Sequence, residues 1–314
     1  MNITVAICTY NGAKDVPKVL DHLHAQEEPS SIQWEVLVVD NNSTDSTASV
    51  VERKQETWER EAPLRYAFEG RQGKSYALQT AVNEAQGTWI AFLDDDNFPV
   101  RDWVAAAVQF AKTHPQAGAF GGQIHGQFEV EPPENFGLVK PLFALNERTD
   151  EICYSTGESL QFAAPGAGLV VRKAAWEESV PETGLRLKGP TGDSRGTLGE
   201  EFELQWRIYQ NGWEIWHNPA MHLHHKIPTE RLEEEYLKDF FEAIGRGRYH
   251  TRMMRFKSWQ RPFATVAYWG ADLWRLARLS WAYRTELFTD RFVRGRARMT
   301  LEALAAPLQT RGIF

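Results

Sequence analysis

Cysteine and long hydrophobic runs are both scarce in this sequence. The only cysteines among the 314 residues are Cys8 and Cys153, far from the close spacing of a metal-binding or disulfide pair. This excludes a disulfide framework and a cysteine-rich zinc cluster, and it favours a reducing compartment. No apolar stretch reaches the ~20 residues that cross a bilayer, and no basic and apolar leader precedes the first predicted strand. We therefore expect a cytoplasmic protein without a membrane span.

Charge is unevenly distributed along the chain, whose net charge is −7. Residues 1–225 carry 18 Lys and Arg against 32 Asp and Glu, whereas residues 226–314 carry 17 against 10. An acidic body and a basic C-terminal part indicate two surfaces with different partners, or simply a solvated helical face in the C-terminal part. No nucleic-acid-binding motif accompanies the basic residues, so we expect no nucleic acid partner.

Short apolar runs alternate with amphipathic stretches through the first third of the chain. Residues 3–8, 35–39, 64–68 and 88–93 have the composition of strands, with helical patterns between them. The alternation predicts an α/β fold, with a doubly wound, mostly parallel sheet and helices on both faces. Such sheets bind ligands at the carboxyl ends of their strands. Polar clusters follow three of these ends, at residues 9–11, 40–42 and 94–97.

The rest of the chain contains fewer strand patterns and more helix. We predict strands near residues 118–124 and 166–171, a long loop from about 126 to 160, and a turn-rich loop at 182–199. After residue 226 the pattern is helical. The chain is therefore expected to divide into an α/β domain over 1–225 and a helical, basic, tryptophan-rich extension over 226–314.

Three consecutive aspartates, Asp94, Asp95 and Asp96, follow the fourth predicted strand. Carboxylates this close repel one another and destabilise the fold unless something compensates their charge. Mg²⁺ or Mn²⁺ can do so, because hard cations prefer carboxylate oxygens and often share them with substrate phosphates. The alternative is an acidic turn that caps the next helix. The cluster therefore predicts a divalent-metal site or a helix cap.

Four landmarks, taken in order, resemble family 2 glycosyltransferases of the GT-A fold. They are Thr9-Tyr10-Asn11, the strand end Val38–Asp45, the helix entry Gly73-Lys74-Ser75, and Phe92–Asp96. The resemblance covers roughly residues 1–225. It implies a catalytic domain there, with a nucleotide-sugar half of about 1–122 and an acceptor half of about 123–225. It also implies an inverting enzyme that moves a sugar from a nucleoside-diphosphate donor, which we expect to be a UDP-sugar, to a glycan or lipid-linked glycan.

The same resemblance implies roles for the matching donor-side positions. Thr9 and Tyr10 would lie beside the nucleoside and Asp40 at the base or ribose, while Arg71 and Lys74 would meet the base or phosphates. Taken without the resemblance, Asp40 is equally a turn residue, and Arg71 and Lys74 are solvated loop residues. The expected donor-binding set consists of Thr9, Tyr10, Asn11, Asp40, Asn42, Arg71, Lys74, Asp94, Asp95, Gly168 and Arg207.

For the metal, the resemblance implies that Asp94 and Asp96 form the aspartate pair, with Asp96 the direct ligand and Asp95 in the variable middle place. A cation there would neutralise the diphosphate leaving group and stabilise charge that develops in the transition state. We therefore expect Mn²⁺ or Mg²⁺ as cofactor.

The segment Gly199–Arg207 resembles the Gly-Glu-Asp-x-x-Leu-x-x-Arg motif of the same family, whose second acid is the usual base. Inverting transfer needs such a base, because the acceptor hydroxyl loses its proton as it attacks. The match implies that Glu201 is the base, with Glu200 beside it, although the commoner residue is Asp. Arg207 either pairs with a carboxylate or reaches the diphosphate. Without the resemblance, Glu200 and Glu201 suit the negative first turn of a predicted helix.

Histidines are concentrated between His217 and His225. On a strand, His222 and His224 would share one face and His225 would point to the other. In the family a histidine after such a strand often completes the metal or diphosphate site. We assign this role to His225, which Lys226-Ile227-Pro228 follows, with His224 as the second candidate. A zinc site has no supporting spacing.

Gly166-Ala167-Gly168 introduces a later strand pattern. Glycine permits close approach of the backbone, so Gly168 predicts a wall beside the transferred sugar. A plain strand bend is the other interpretation.

The C-terminal extension is predicted to form helices, the first over residues 231–249 with an interruption at Gly245–Arg248. Residues 262–298 combine tryptophans and leucines with arginines. This pattern predicts an amphipathic helix that lies on a membrane surface, attracted by anionic lipids. The alternative is an apolar face packed on the catalytic domain or on a second copy of the chain. A peripheral position on the cytoplasmic face of a membrane would suit a lipid-linked acceptor.

Two other functions compete with sugar transfer. A nucleotidyltransferase would carry a Gly-rich basic loop after the first strand, and Asn11-Gly12-Ala13-Lys14 matches that loop poorly. An inactive sugar-nucleotide-binding or assembly subunit is the alternative from a different class. It would keep its function when Asp96 is replaced by alanine.

Overall fold

The computed structural model describes residues 1–155, 164–192 and 194–309. The end of the loop predicted from about 126 to 160, residue 193 of the second predicted loop and residues 310–314 of the extension lie outside these ranges. The chain forms two compact units. The first, here the sheet unit, comprises Met1–Gln127, Ala144–Leu185 and Leu204–Lys226. The second, here the helical unit, comprises Phe128–Phe143, Arg186–Glu203 and Ile227–Phe314.

The strands of the described residues are short except for two long late ones. In chain order they are β1 Ile3–Thr9, β2 Trp34–Asp40, β3 Leu64–Phe68, β4 Trp89–Leu93, β5 Asn97–Pro99, β6 Ala117–Phe128, β7 Ile152–Cys153, β8 Val170–Arg172, β9 Gly189–Thr191, β10 Ser194–Thr197 and β11 Glu214–Ile227.

The helices of the described residues are α1 Val16–His24, α2 Thr47–Glu56, α3 Lys74–Glu84, α4 Trp103–Thr113, α5 Lys173–Ser179, α6 Glu200–Gln210, α7 Glu234–Met253, α8 Arg261–Ala282, α9 Glu286–Thr289 and α10 Arg291–Gln309. Short 3₁₀ turns at Glu134–Leu138, Lys140–Phe143, Thr229–Leu232 and Ser258–Gln260 connect them. The three longest helices, α7, α8 and α10, lie in the C-terminal part of the chain.

A nine-stranded sheet organises the sheet unit, in the order β3-β2-β1-β4-β8-β6-β11-β5, with β7 paired to β11. The first four strands of this order are mutually parallel, as the alternation of apolar runs predicts. Strand β8 runs antiparallel to both of its neighbours, and β5 and β7 run antiparallel to β11. The order changes direction beside β1 and β4, the position where an open α/β sheet binds its ligand.

The parallel strands form the core of the sheet unit. Every residue of β2 and β4 is buried. These strands are covered on both faces, and this explains their nearly continuous apolar sequence. Besides Asp40 at the end of β2, these strands contain one charged residue, the fully buried Glu35. It accepts hydrogen bonds from the Thr4 hydroxyl at 2.6 Å and from Arg65 Nη1 at 3.1 Å. Its charge is therefore satisfied inside the core.

Helix α7 is continuous in the helical unit, so the interruption predicted at Gly245–Arg248 is wrong. The two glycines serve close packing instead. A Cβ on Gly245 would lie 2.6 Å from the Met299 carbonyl oxygen of α10, and one on Gly247 would lie 1.6 Å from the Leu198 carbonyl oxygen. Glycine therefore lets α7 approach α10 and the chain before α6, which outweighs its poor helix propensity.

The loops predicted in the middle of the chain contain short elements. The long stretch contains the two 3₁₀ turns between Glu134 and Phe143, and β7. The second loop contains the hairpin strands β9 and β10. The strand expected over residues 166–171 begins only at Val170, because the preceding glycines turn the chain, Gly168 with φ of 72°.

Candidate active site

The parallel strands end level with one another. Thr9, the last residue of β1, is the register partner of Asp40 at the end of β2. On the other side of β1, Ile7 pairs with Leu93, which Asp94 follows directly. The polar clusters predicted to share one edge therefore meet there, and the Thr9 hydroxyl donates a hydrogen bond to Asp95 Oδ2 at 2.5 Å.

The two loops after β1 and β2 are joined through Asn11. Its side-chain oxygen accepts a hydrogen bond from the Thr44 backbone N–H at 2.8 Å, and its own N–H donates to Ser43 Oγ at 2.9 Å. Asn11 and Asn42 both adopt positive φ, 56° and 61°, where asparagine is better tolerated than most residues. Both asparagines therefore shape the loops. Tyr10, between β1 and Asn11, is half-buried.

Asp40 is buried, and both of its carboxylate oxygens accept hydrogen bonds. Oδ1 accepts from the Ser43 N–H at 2.8 Å and Oδ2 from the Tyr66 hydroxyl at 2.9 Å. Burial and the neighbouring Asp40 raise the pKa of Tyr66 to about 12. Tyr66 therefore stays a hydrogen-bond donor at neutral pH and holds the carboxylate in one orientation.

Asn41, next in the chain, connects β2 to the loop before α3. Its side-chain NH₂ donates to the Arg71 carbonyl oxygen at 2.6 Å, and its side-chain oxygen accepts from the Gly73 N–H at 2.9 Å. Gly73 has φ of 137° and directly precedes α3. The buried amide of Asn41 therefore sets where α3, and with it Lys74, begins.

Arg71 is held by Glu69 in a two-pronged ion pair. Its Nε and Nη2 donate to Oε1 and Oε2 at 2.9 and 2.8 Å, and its guanidinium lies 4.7 Å from the centre of the Tyr76 ring. The hydrogen bonds from Arg71, followed by one from Thr80, lower the pKa of Glu69 to about 2. Most of the Arg71 side chain is nevertheless exposed, so a preoriented cation faces solvent beside the strand ends.

Each aspartate of the cluster has a different partner. Asp94 Oδ1 forms an ion pair with Lys74 Nζ at 2.9 Å, and Asp95 accepts from Thr9. Asp96 is nearly buried, and its Oδ2 lies 3.5 Å from His225 Nε2. The side-chain NH₂ of Asn97 donates to Asp96 Oδ1 at 2.9 Å. These partners compensate part of the repulsion between the three carboxylates.

Strand register explains why His225 meets Asp96. In the antiparallel pair of β11 and β5, His225 is opposite Asn97 and His224 is opposite Phe98. His224 therefore points to the other face of the strand, where its ring centre lies 5.6 Å from that of His125. The structure brings His225, and not His224, together with the aspartates.

The side chains around Asp96 are suited to a metal ion that is coordinated partly by substrate, rather than to one coordinated by protein side chains alone. Within the described ranges, no group of three or more His, Cys, Asp or Glu side chains is placed to hold a metal ion. A carboxylate oxygen and an imidazole nitrogen 3.5 Å apart can nevertheless serve as neighbouring ligands. Mg²⁺ is commonly bound by one or two carboxylates together with substrate phosphates and water. Asp96 and His225 therefore fit a divalent cation that binds together with a diphosphate.

Gly168 and Arg207 lie elsewhere in the sheet unit. The Gly168 N–H donates to the Phe92 carbonyl oxygen at 3.0 Å, two residues before Asp94. Gly168 has φ of 72°, a backbone conformation that favours glycine, and a Cβ there would also lie 2.5 Å from Leu223 Cδ2. Arg207 is half-buried on α6. Gly168 is thus close to the aspartate turn in space, although it is far from it along the chain.

Glu200 and Glu201 begin α6 and belong to the helical unit, but they differ in exposure. Glu200 is 2% exposed, and its carboxylate packs against Gly189 and accepts a hydrogen bond from the Gly199 N–H at 3.1 Å. Glu201 is half-buried. The fully buried Glu203 accepts hydrogen bonds from the Arg186 and Leu187 N–H groups at 3.1 and 2.9 Å. Of the three glutamates, Glu201 is the only one that is not buried.

Sequence reasoning missed several side chains that support the site. Asn41 directly follows Asp40 in the polar cluster at the end of β2, so its position in the sequence could have indicated a role at the site. Glu69 and Tyr66 gave none, because each lies in an ordinary strand or loop context. Their roles depend on contacts with Arg71 and Asp40 that only the fold creates.

Gly12 lies directly over the contact between Thr9 and Asp95. A Cβ on Gly12 would be 2.0 Å from Thr9 Oγ1 and 2.8 Å from Asp95 Oδ2. We expect Gly12→Ala to lower the free energy of unfolding by about 1–3 kcal/mol, because the side chains must move away from a packed position. Urea denaturation measures the change.

Gly70→Ala is the matched control for this substitution. A Cβ on Gly70 would lie 3.5 Å from Phe68 Cε1, an ordinary contact, so its unfolding midpoint should stay close to that of the unchanged protein. Equal midpoints for the two variants would contradict the packing of Gly12 described above.

Comparison with known proteins identifies similar sequences. The chain is 34% identical to glycosyltransferase AglE of Haloferax volcanii over 107 residues, 34% of each chain. It is 29% identical to poly(ribitol-phosphate) beta-N-acetylglucosaminyltransferase TarS of Staphylococcus aureus over 114 residues, 36% of this chain and 19% of TarS. The matched segments thus span only a minor part of these relatives.

Solved structures show the same fold. TarS 1-349 in complex with UDP-GlcNAc matches with a TM-score of 0.55 at 14% identity, over 99% of this chain and 93% of that one. The mannosyltransferase PcManGT of Pyrobaculum calidifontis, solved with GDP-Man and Mn²⁺, matches with a TM-score of 0.62 at 22% identity, over 99% and 88%. The expected α/β fold of GT-A type with a helical C-terminal region is therefore confirmed.

The sequence profile described as Glycosyl transferase family 2 matches residues 4–176. This segment is more than half of the chain, and it includes Thr9, Asp40, Lys74 and the three aspartates whose geometry is described above. The chain belongs to glycosyl transferase family 2.

Proposed function

We propose that this protein is an inverting glycosyltransferase that transfers a sugar from a nucleoside-diphosphate donor, a UDP-sugar, to a glycan or lipid-linked glycan. One observation carries the proposal. At the carboxyl edge of the parallel strands, three aspartates with distinct partners, Lys74, Thr9 and His225, follow β4. Strand β1 lies between β4 and the strand that ends at Asp40, and all three strands end at this edge. This is the edge where an open α/β sheet binds a nucleotide.

The charges at this edge suit a nucleoside diphosphate. Asp40, whose two oxygens are oriented by Ser43 and Tyr66, would accept hydrogen bonds from a base or ribose. Lys74 is a cation at the start of a helix, where positive potential and free N–H groups favour phosphate. Arg71 adds a second, preoriented cation on the same side of α3. The donor would therefore be held at both its base and its diphosphate.

Asp96 and His225 are the residues that would hold a divalent cation, with Asp94 beside them. A bound Mn²⁺ or Mg²⁺ supplies positive charge that stabilises the diphosphate as a leaving group. Lys74, which forms an ion pair with Asp94, would add positive charge at the same edge of the sheet. PcManGT, which was solved with Mn²⁺, supports this choice of cofactor.

Glu201 is the proposed general base. Its carboxylate would take the proton of the acceptor hydroxyl while that oxygen bonds to the anomeric carbon and the bond to the diphosphate oxygen breaks. One such displacement inverts the anomeric configuration. The partial exposure of Glu201 supports this role, whereas the buried carboxylate of Glu200 already packs within the helical unit.

The neighbours support a nucleotide-sugar donor without deciding the nucleotide. TarS was solved with UDP-GlcNAc and PcManGT with GDP-Man.

Within the described part of the chain, no helix is both long and apolar enough to cross a membrane. We place the enzyme in the cytoplasm, peripheral to the membrane when its acceptor is lipid-linked.

Thermal denaturation with nucleotides and metal tests the proposal. A ligand that binds only the folded protein stabilises it by about 2.7 kcal/mol at 100 times its Kd. We expect UDP with Mn²⁺ to raise the melting temperature, and UDP after removal of metal with EDTA to raise it much less. UMP, which lacks the second phosphate, is the control and should show little dependence on Mn²⁺. No shift with UDP or GDP in either condition would overturn the proposed donor class.

A further inference from the structure

Large hydrophobic side chains are exposed mainly in one part of the chain. Nine of the twelve exposed ones among the described residues lie between Trp259 and Leu308. Several are almost fully accessible, such as Phe263 at 73% and Trp281 at 75%. Contiguous apolar surface of this kind marks an interaction site, whereas single exposed apolar residues do not.

The exposed residues of α8 and of the turn before it fall on one face. We call this set the aromatic face: Trp259, Phe263, Val266, Leu273, Trp274 and Trp281. Trp259 lies in the 3₁₀ turn that precedes α8. At 3.6 residues per turn, the spacing of the five residues within α8 places them in an arc of about 100° around the helix axis. The small residues Gly270 and Ala277 lie in the same arc and leave it uninterrupted.

The other side of α8 is packed within the helical unit. Asp272 is buried there and accepts two hydrogen bonds from Arg252 of α7. The Trp269 Nε1–H donates to the Leu304 carbonyl oxygen of α10 at 3.1 Å. Helix α8 is thus fixed by one side and presents its aromatic face on the side away from α7.

Arginines border the aromatic face. The Arg278 guanidinium lies 4.7 Å from the Trp274 ring centre, and Arg284 lies 4.3 Å from that of Trp281. Residues 255–298 contain ten Lys and Arg but only three Asp and Glu. Arg275, Arg294 and Arg298 are paired with carboxylates of the helical unit, whereas Arg278 and Arg284 lie against tryptophans of the aromatic face. A protein partner could match the apolar side chains alone, but the positive charge of Arg278 and Arg284 at the border favours an extended, negatively charged partner.

We propose that the aromatic face binds the surface of an anionic lipid bilayer, with α8 lying parallel to the membrane plane. Tryptophan and phenylalanine side chains would enter the boundary between headgroups and acyl chains. The arginines at the border would contact lipid phosphates. The proposal concerns a surface of the helical unit and does not depend on the sugar-transfer reaction.

Vesicle flotation with the full chain tests it. We expect binding to vesicles of phosphatidylcholine mixed with phosphatidylglycerol, and weak binding to phosphatidylcholine alone. Raising the ionic strength should weaken binding, because screening reduces the attraction to anionic headgroups. The double variant Phe263→Ser with Trp274→Ser should reduce the vesicle-bound fraction at least about tenfold, because two large apolar side chains no longer enter the bilayer.

The matched control is Val130→Ser with Leu301→Ser. Both side chains are exposed hydrophobics of the same unit outside the aromatic face, so vesicle binding should be unchanged. Circular dichroism melting checks that both double variants fold. Analytical ultracentrifugation measures the oligomeric state and so tests whether a second copy of the chain, rather than a membrane, covers the aromatic face. Equal binding to both vesicle types, unchanged binding of the Phe263 and Trp274 variant, or a dimer lost in that variant without vesicle binding would each overturn the proposal.

Discussion

Glu201→Gln should reduce the turnover number by about a thousandfold while leaving metal-dependent UDP affinity unchanged. A correctly placed general base contributes on the order of 10² to 10⁴ in rate. Glutamine keeps the shape of the side chain but cannot take the acceptor proton. Release of UDP during steady-state turnover measures the rate, and calorimetric titration with UDP and Mn²⁺ measures the affinity.

The neighbouring glutamates of the same helix provide the controls. Both oxygens of Glu203 accept backbone N–H groups, so Glu203→Gln should lower the free energy of unfolding by about 1–3 kcal/mol with much less effect on turnover of the folded fraction. Glu200→Gln tests the other candidate base. Retained transfer in Glu201→Gln, together with loss in Glu200→Gln, would assign the base to Glu200 and contradict our choice.

Asp96→Asn is expected to reduce kcat/KM by about 10² to 10³ and to abolish the enhancement of UDP binding by Mn²⁺. The substitution removes the charged oxygen that faces His225 at 3.5 Å, yet it preserves the size of a nearly buried side chain. Titration of UDP into the variant with Mn²⁺ and with EDTA measures the effect directly.

Asp102→Asn is the matched control, because this aspartate is exposed and makes no side-chain cap to α4. Its UDP affinity and metal dependence should equal those of the unchanged protein. If Asp96→Asn still bound UDP more tightly with Mn²⁺ than with EDTA, the cation would have to be held elsewhere. The proposed pair of Asp96 and His225 would then be wrong.

The parallel half of the sheet could be predicted because its strands are buried on both faces. Such strands must be almost continuously apolar, and β2 and β4 show this directly in their sequences. The burial of Glu35 could not be predicted in this way. Its partners Thr4 and Arg65 lie on neighbouring strands, so nothing in its local sequence indicates that its charge is compensated.

The aspartate side of the site was predictable for a similar reason. The carboxyl ends of parallel strands must share one edge, so the clusters at Thr9, Asp40 and Asp94 had to meet once the strands were identified. The histidine was harder to choose, because His224 and His225 differ only in which face of β11 they occupy. The register with Asn97 brings His225, and not His224, beside Asp96, and register is a property of the assembled sheet.

The side chains that hold the site residues in position could not be predicted from local sequence. Glu69 and Tyr66 act through Arg71 and Asp40, and these contacts arise only when α3 and β3 pack beside β2. The interruption predicted at the glycines of α7 was wrong because packing between helices outweighed local propensity. Propensity alone predicts a break at Gly245–Arg248, whereas close packing against α10 keeps the helix continuous.

The close approach at Gly247 connects the C-terminal extension to the start of α6, the helix that carries Glu201. Helix α7 rests on the Leu198 carbonyl oxygen, two residues before Glu200, and Gly199 packs against Thr251 of the same helix. A protein cut after residue 225 would still contain Glu201, but the start of α6 would lack the backbone that supports it. The extension therefore supports the start of the helix that carries the proposed base. Shortening the extension should lower enzymatic activity even where every proposed active-site residue is retained.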